Sequence, residues 1–234
     1  ITTIAGDPPP KKIVVREHSM NMAVDLIHGQ KTGAFLDQRE NRRRIRSMSK
    51  GLRVLNLFSY TGGFSCSAAL GGAAHVTSID VAHPAHATAQ ETFRLNELDP
   101  TQHSFVTSDV FTFLEQARAR NERYQLVISD PPSFAPSERS LPRALSAYRR
   151  LHAACANVVA KGGIFCAASC SSHVTMDAFL STLDDAVLED RSFLVHDTFG
   201  LPPDHPTTAS WPEGRYLKFV VLRQAASAIV SSHG

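Results

Sequence analysis

No apolar run of about eighteen residues occurs in this 234-residue chain, and no charged leader precedes an apolar stretch. Neither a membrane-spanning helix nor a secretory signal is therefore expected. Cysteine is scarce: Cys66, Cys155, Cys166 and Cys170 fall in none of the spacings that hold a metal. A reduced, cytoplasmic protein without a metal is the expectation. Excess charge of either sign is lacking, with a net charge of +2, so contact with nucleic acid has to rest on local clustering. There is no internal repeat and no low-complexity tract. Also missing is the fingerprint G-x-G-x-x-G, which weighs against a nicotinamide dinucleotide and hence against a dehydrogenase.

What is present begins at residues 53–80, RVLNLFSYTGGFSCSAALGGAAHVTSID. Val54, Leu55, Leu57 and Phe58 read as a buried parallel strand, Gly62 and Gly63 as a sharp turn into a helix, and 75–79 as a second strand ending at Asp80. A carboxylate about twenty residues after such a turn suits a ribose diol. With the turn reading Ser59, Tyr60, Thr61, Gly62, Gly63 there is no phosphate cradle. A ligand with ribose but no pyrophosphate fits better, and S-adenosylmethionine (SAM) is one.

The pattern divides the chain at residue 50. Residues 1–50 read as a small β-rich segment, with short extended stretches at 13–15, 22–27 and 33–36, followed by a basic helix over 38–48. Residues 51–234 read as the catalytic domain. Strands are predicted at 53–58, 75–80, 103–108, 124–129, 163–169, 191–199 and 215–223, and helices at 62–71, 83–97, 109–120, 143–160 and 174–187. This alternation means an α/β, doubly wound, mostly parallel sheet. Only the loop 200–214 separates the last two strands, so the final strand is expected to run antiparallel to a neighbour.

Ligands of such sheets bind beyond the carboxyl ends of the strands. Asp80 and Asp109 stand there, although each has the alternative of capping the helix that follows. Asp130-Pro131-Pro132-Ser133-Phe134 forms a stiff loop with a carboxylate and a ring, suited to gripping a flat base, with a rigid turn as the alternative. Cys170 leaves the sheet toward a helix whose N-terminal end would lower its thiol pKa. On this ground alone it is equally a packing cysteine or a nucleophile. Arg39, Arg42, Arg43, Arg44 and Arg46 make either a solvated face or a phosphate-binding one.

Taken together, KTGAFLDQR at 31–39, NLFSYTGGF at 56–64, DPPSF at 130–134, SCS at 169–171, DHP at 204–206 and PEGRYLK at 212–218 resemble one family. It is that of the bacterial 23S ribosomal RNA cytosine-5 methyltransferases of the large-subunit methyltransferase I type, within the class I SAM-dependent methyltransferases. The resemblance implies a Rossmann-like sheet of seven strands with the last antiparallel, preceded by a small β-hairpin segment. It implies SAM held by Phe58, Ser59, Tyr60, Gly62, Asp80, Asp109, Asp130 and Pro131, with Gln38 and Arg39 closing the pocket. Cys170 matches the family's nucleophile, with Asp130 assisting at the base. RNA, namely 23S rRNA, would meet Pro132, Phe134, Arg42, Arg43 and His205, and a homodimer is compatible.

Two departures qualify this. The family carries an N-terminal RNA-binding PUA domain, and there is no room for one ahead of Ile1: either the chain is a catalytic fragment or this member finds its substrate differently. Relatives sharing the Asp-Pro-Pro-x-Phe loop but differing at the Cys170 position methylate guanine. The alternatives are thus a guanine or non-RNA acceptor, and an inactive SAM- or RNA-binding module.

Overall fold

The computed structural model describes residues 5–8, 10–135, 137–184, 188 and 192–225. The chain opens with an antiparallel hairpin, β1 (Ile13–Glu17) and β2 (Met20–Val24). His18 and Ser19 turn it with φ of 42° and 66°, the paired left-handed conformation that matches the twist of a two-residue hairpin. β2 stops where the Asp25 carboxylate takes the backbone N–H groups of Ile27 and His28, so the predicted stretch 22–27 is cut short. The stretch 33–36 is no strand: Gly33, at φ 87°, leads into a single 3-10 turn, Leu36–Gln38. The basic helix α1 (Arg39–Met48) follows.

From there strands and helices alternate: β3 (Arg53–Leu57), α2 (Gly63–Leu70), β4 (His75–Asp80), α3 (His83–Leu95), β5 (Ser104–Thr107), α4 (Val110–Ala119) and β6 (Tyr124–Ser129). The series continues through α5 (Leu141–Ala156), β7 (Val159–Ser169), α6 (Met176–Leu180), β8 (Phe193–Phe199) and β9 (Lys218–Gln224). Of the predicted helix 174–187 and strand 191–199, residues 185–187 and 191 lie outside the described residues. The sheet order is β5-β4-β3-β6-β7-β9-β8, parallel from β5 to β7, with β9 antiparallel to both its neighbours. The expected seven-stranded, doubly wound sheet with an antiparallel last strand is what forms.

Because both faces are covered, side chains alternate between two cores. Leu55, Leu57, Val127, Phe165 and Val220 point toward α4, α5 and α6. Val54, Leu126, Ile128, Cys166 and Phe219 point toward α1, α2 and the hairpin. Strands buried on both sides read as continuous apolar runs, which is why they were visible in the sequence. The hairpin is anchored by reciprocal bonds between Asn21 and Asn96 on the turn after α3, and by a buried bidentate pair of Arg42 on α1 with Glu17 on β1.

Candidate active site

The sheet order reverses at β3: its neighbour β4 continues one way and β6 the other. At that point the carboxyl ends of the strands open into a cavity of about 370 Å³, within the range of small-molecule sites. Phe58 to Thr61 come from β3, Asp80 from β4, Asp109 from β5, Asp130 to Pro132 from β6 and Cys170 from β7. The segment between β2 and α1 covers it with Lys31, Phe35, Asp37 and Gln38.

The turn after β3 is strained. Phe58 and Tyr60, neither of them glycine, have φ of 56° and 45°, and Gly62 has 76°; such backbone is sustained only where its surroundings dictate it. A Cβ at Gly62 would lie 2.7 Å from the Ala89 methyl on α3, so the turn also needs glycine for close packing. Tyr60 N–H donates to Asp80 Oδ2 at 2.8 Å and Ala82 N–H to Asp80 Oδ1 at 2.9 Å. Ala82 stands at the N-cap position of α3 without a side-chain cap bond, so Asp80 both holds the entry to the helix through the Ala82 N–H and lines the cavity rim. Asp109 caps α4 through Thr112 N–H at 3.0 Å and also lines the cavity. Ser59 is buried with a hydroxyl that has no partner among the described residues. An orphaned hydroxyl beside a rim carboxylate fits a polar, ribose-bearing ligand.

Deeper in, Gln38 Nε2 donates to Asp130 Oδ2 at 3.0 Å. Burial, and then the nearby Asp37 carboxylate, push Asp130 up to about 7, against the pull of Arg42, Gln38 and Lys31. Asp37 is itself held by Tyr216 Oη at 2.8 Å. Asp130 can therefore be proton donor or acceptor near neutral pH.

Half-buried Cys170 carries its Sγ 4.0 Å from the Pro131 carbonyl oxygen. The other three thiols are buried; burial lifts those of Cys66 and Cys155 to about 12 and pushes that of Cys166 up as well. The helix expected to lower the Cys170 pKa does not do so. α6 begins only at Met176, after a Thr175 cap, and the thiol is pushed up by burial and by Asp130 and Asp37, with Lys31 opposing. The loops of Asp130 and Cys170 are stitched together: Ser171 Oγ lies 3.0 Å from Ser133 Oγ and 3.2 Å from Tyr148 Oη, and Tyr148 donates to Ser169 Oγ at 2.9 Å.

The remaining predicted contacts fare unevenly. Pro131 and Pro132 line the cavity, whereas the Phe134 ring packs on Tyr148 at 4.8 Å and stands outside it. Arg39 pairs with Glu40 and Asp204 rather than lining the cavity, and His205 rests against Asp204. Arg42 departs from the expected exposed phosphate contact: only 5% exposed, it is bonded to Glu17 and to the Phe35 carbonyl and lines the inner wall of the cavity, so its guanidinium is held within the fold. Arg44 stacks at 3.6 Å on Phe199, and Arg46 bonds the His18 carbonyl. Of the two arginines expected at RNA, Arg43 is the exposed one, with a loose tie to Glu40. Sequence reasoning gave no role to Lys31, Phe35, Asp37, Tyr216 or Lys218; the 31–39 and 212–218 segments supplied them only as parts of a resemblance.

A doubly wound sheet with an antiparallel last strand, a carboxylate at the cavity rim after its second strand and no pyrophosphate turn is the architecture of a methyltransferase-like domain. The chain belongs to the S-adenosylmethionine-dependent methyltransferase family, which it matches over residues 3–219. It is 39% identical over 221 residues to the Ribosomal RNA large subunit methyltransferase I of Escherichia coli, covering 94% of this chain and 56% of that protein. A structure described as a methyltransferase complexed with SAH superposes with a TM-score of 0.86 at 30% identity, over 94% of this chain and 58% of the other. A Streptococcus mutans structure described as a SAM-dependent methyltransferase gives 0.85 at 30% identity, over 94% and 57%. The chain thus spans little more than half the length of these relatives. Among the described residues no helix is long and apolar enough to cross a membrane.

Proposed function

We propose that this protein transfers a methyl group from SAM to RNA, to C5 of a cytosine in 23S rRNA, by way of a covalent bond between Cys170 and C6 of the base. The observation that carries this reading is that Cys170 and a carboxyl poised near neutrality, Asp130, face one cavity. The resemblance to the Escherichia coli ribosomal RNA methyltransferase supports the choice of acceptor.

SAM, when bound, supplies an electrophilic methyl on a sulfonium sulfur. The cofactor would lie along the strained turn 58–62, with its ribose at Asp80, its adenine toward Asp109 and Val110, and its methyl end toward Asp130 and Gln38. The target base has to leave its stack, at a cost of a few kcal/mol, to enter beside Pro132.

Cytosine C5 is a weak nucleophile. When the Cys170 thiolate adds its electron pair to C6, the C5–C6 double bond is polarised toward the ring carbonyl and N3, and Asp130 delivers a proton to N3. The resulting enamine places electron density on C5, which can then accept the methyl. Loss of the C5 proton to a base restores the double bond and expels the thiolate, and N3 returns its proton to Asp130. Loss of methylation in Cys170→Ala with SAM affinity unchanged is the expected result; full activity in that variant removes the nucleophile from the account.

A further inference from the structure

Lys218 opens β9 and is paired in register with Ser169, the last residue of β7 before Cys170. It is only 2% exposed. Its ammonium donates to the Ser171 carbonyl at 2.5 Å and the Tyr216 carbonyl at 2.7 Å, and among the described residues it has no carboxylate partner. A buried cation with only neutral acceptors is costly, and an anion that forms beside it offsets part of that cost. Its two acceptors flank the site: Ser171 follows the thiol, and Tyr216 holds Asp37 through its hydroxyl.

We propose that Lys218 is a positioning residue for Cys170: it fixes the turn that carries the sulfur and provides the buried positive charge beside which the thiolate forms. The groups facing the sulfur are Asp130 from the end of β6, Asp37 and Lys31 from the covering segment, Tyr148 from α5, and Tyr216 and Lys218 at the start of β9. The carboxylates oppose a thiolate, so a cation is needed to offset them. Lys31 is exposed and its charge is open to solvent, whereas Lys218 is enclosed, where a charge acts with less screening. The ammonium is consistent with this: burial lowers it to about 8, and the Cys170 sulfur opposes that fall. At neutral pH it is largely protonated, and it loses its charge as the pH passes about 8.

The role deepens the cysteine mechanism above and rests on it, but its test requires no RNA. Cys170 is the accessible thiol, so the rate of alkylation by iodoacetamide against pH reports its ionisation in the full chain. In Lys218→Met, a substitution of similar length, alkylation at pH 7.5, where the ammonium still carries its charge, should slow roughly tenfold, with Lys218→Arg close to wild type and Lys31→Met slowed less. An unchanged rate at pH 7.5 in Lys218→Met overturns the proposal, as does a larger slowing in Lys31→Met. Should Lys218→Met fail to fold, a 15N-resolved titration of the Lys218 ammonium in wild type and in Cys170→Ala decides. Its midpoint should fall when the sulfur is removed, and equal midpoints refute the coupling. Absence of 5-methylcytosine in RNA, with the slowing of alkylation at pH 7.5 intact, would instead sink the proposed function while leaving the Lys218–Cys170 pair standing.

Discussion

Gln38 reaches Asp130 as a donor, and its orientation is imposed from the far side of α1. An arginine can only donate, so the contact of Arg44 Nη1 with Asn41 Oδ1 at 3.1 Å makes that oxygen the acceptor. Asn41 Nδ2 then donates to Gln38 Oε1 at 2.7 Å, and Gln38 Nε2 is left to donate to Asp130 Oδ2 at 3.0 Å. Oδ1 is thereby the Asp130 oxygen free to carry a proton toward a base. Removing the donor in Gln38→Ala should push the Asp130 carboxyl above about 7, read as an upward shift in its carbon-detected titration; a midpoint that stays put or falls contradicts this arrangement.

Asp130 also makes stability depend on pH. Its folded pKa is raised to about 7 from 3.8, so between those values the native state binds a proton that the unfolded state has released. Stability contributed by this group is full below about pH 4 and is lost as pH rises toward 7. Asp130→Asn should remove that slope and be more stable than wild type at pH 8 by roughly 1–3 kcal/mol, discounted for the open mouth of the cavity, while methyl transfer collapses. Denaturant melts at pH 5 and pH 8 check the sign.

Asp80 is held by two backbone amides at the cavity rim. Asp80→Ala should weaken SAM binding roughly 10- to 100-fold, the usual effect of deleting a charged acceptor, with little change in the fold. Calorimetric titration with SAM measures it, and wild-type affinity would return Asp80 to a local backbone role.

The two neighbouring arginines should separate. Arg42→Ala leaves the Glu17 carboxylate buried without its partner and is expected to cost about 3–5 kcal/mol in urea unfolding. Arg43→Ala, on an exposed side chain, should change stability by less than about 0.5 kcal/mol and weaken RNA binding in a salt-dependent way. A stable Arg42→Ala protein with reduced RNA affinity would reverse this assignment.

The central strands β3, β6, β7 and β9 were legible because they are covered on both sides and so are written as apolar runs, from Val54 to Phe219. The carboxylates at 80, 109 and 130 were legible because strand ends place them. What the sequence hid was set by chain segments far apart in number. Nothing near Asp37 shows that Tyr216 will hold it, 179 positions away. The arginine run gave no sign that Glu17 and Phe199 would turn Arg42 and Arg44 inward. The thiol of Cys170 was misjudged because a helix N-terminus was expected nearby, while the chain makes a turn instead and surrounds the sulfur with Asp130 and Asp37.

The most direct test is transfer of labelled methyl from SAM to protein-free 23S rRNA by wild type and Cys170→Ala, with digestion and identification of the labelled nucleoside. The account predicts label in 5-methylcytosine for wild type and none for the variant, with both binding SAM equally. Label in a guanine, or undiminished 5-methylcytosine from Cys170→Ala, would contradict it.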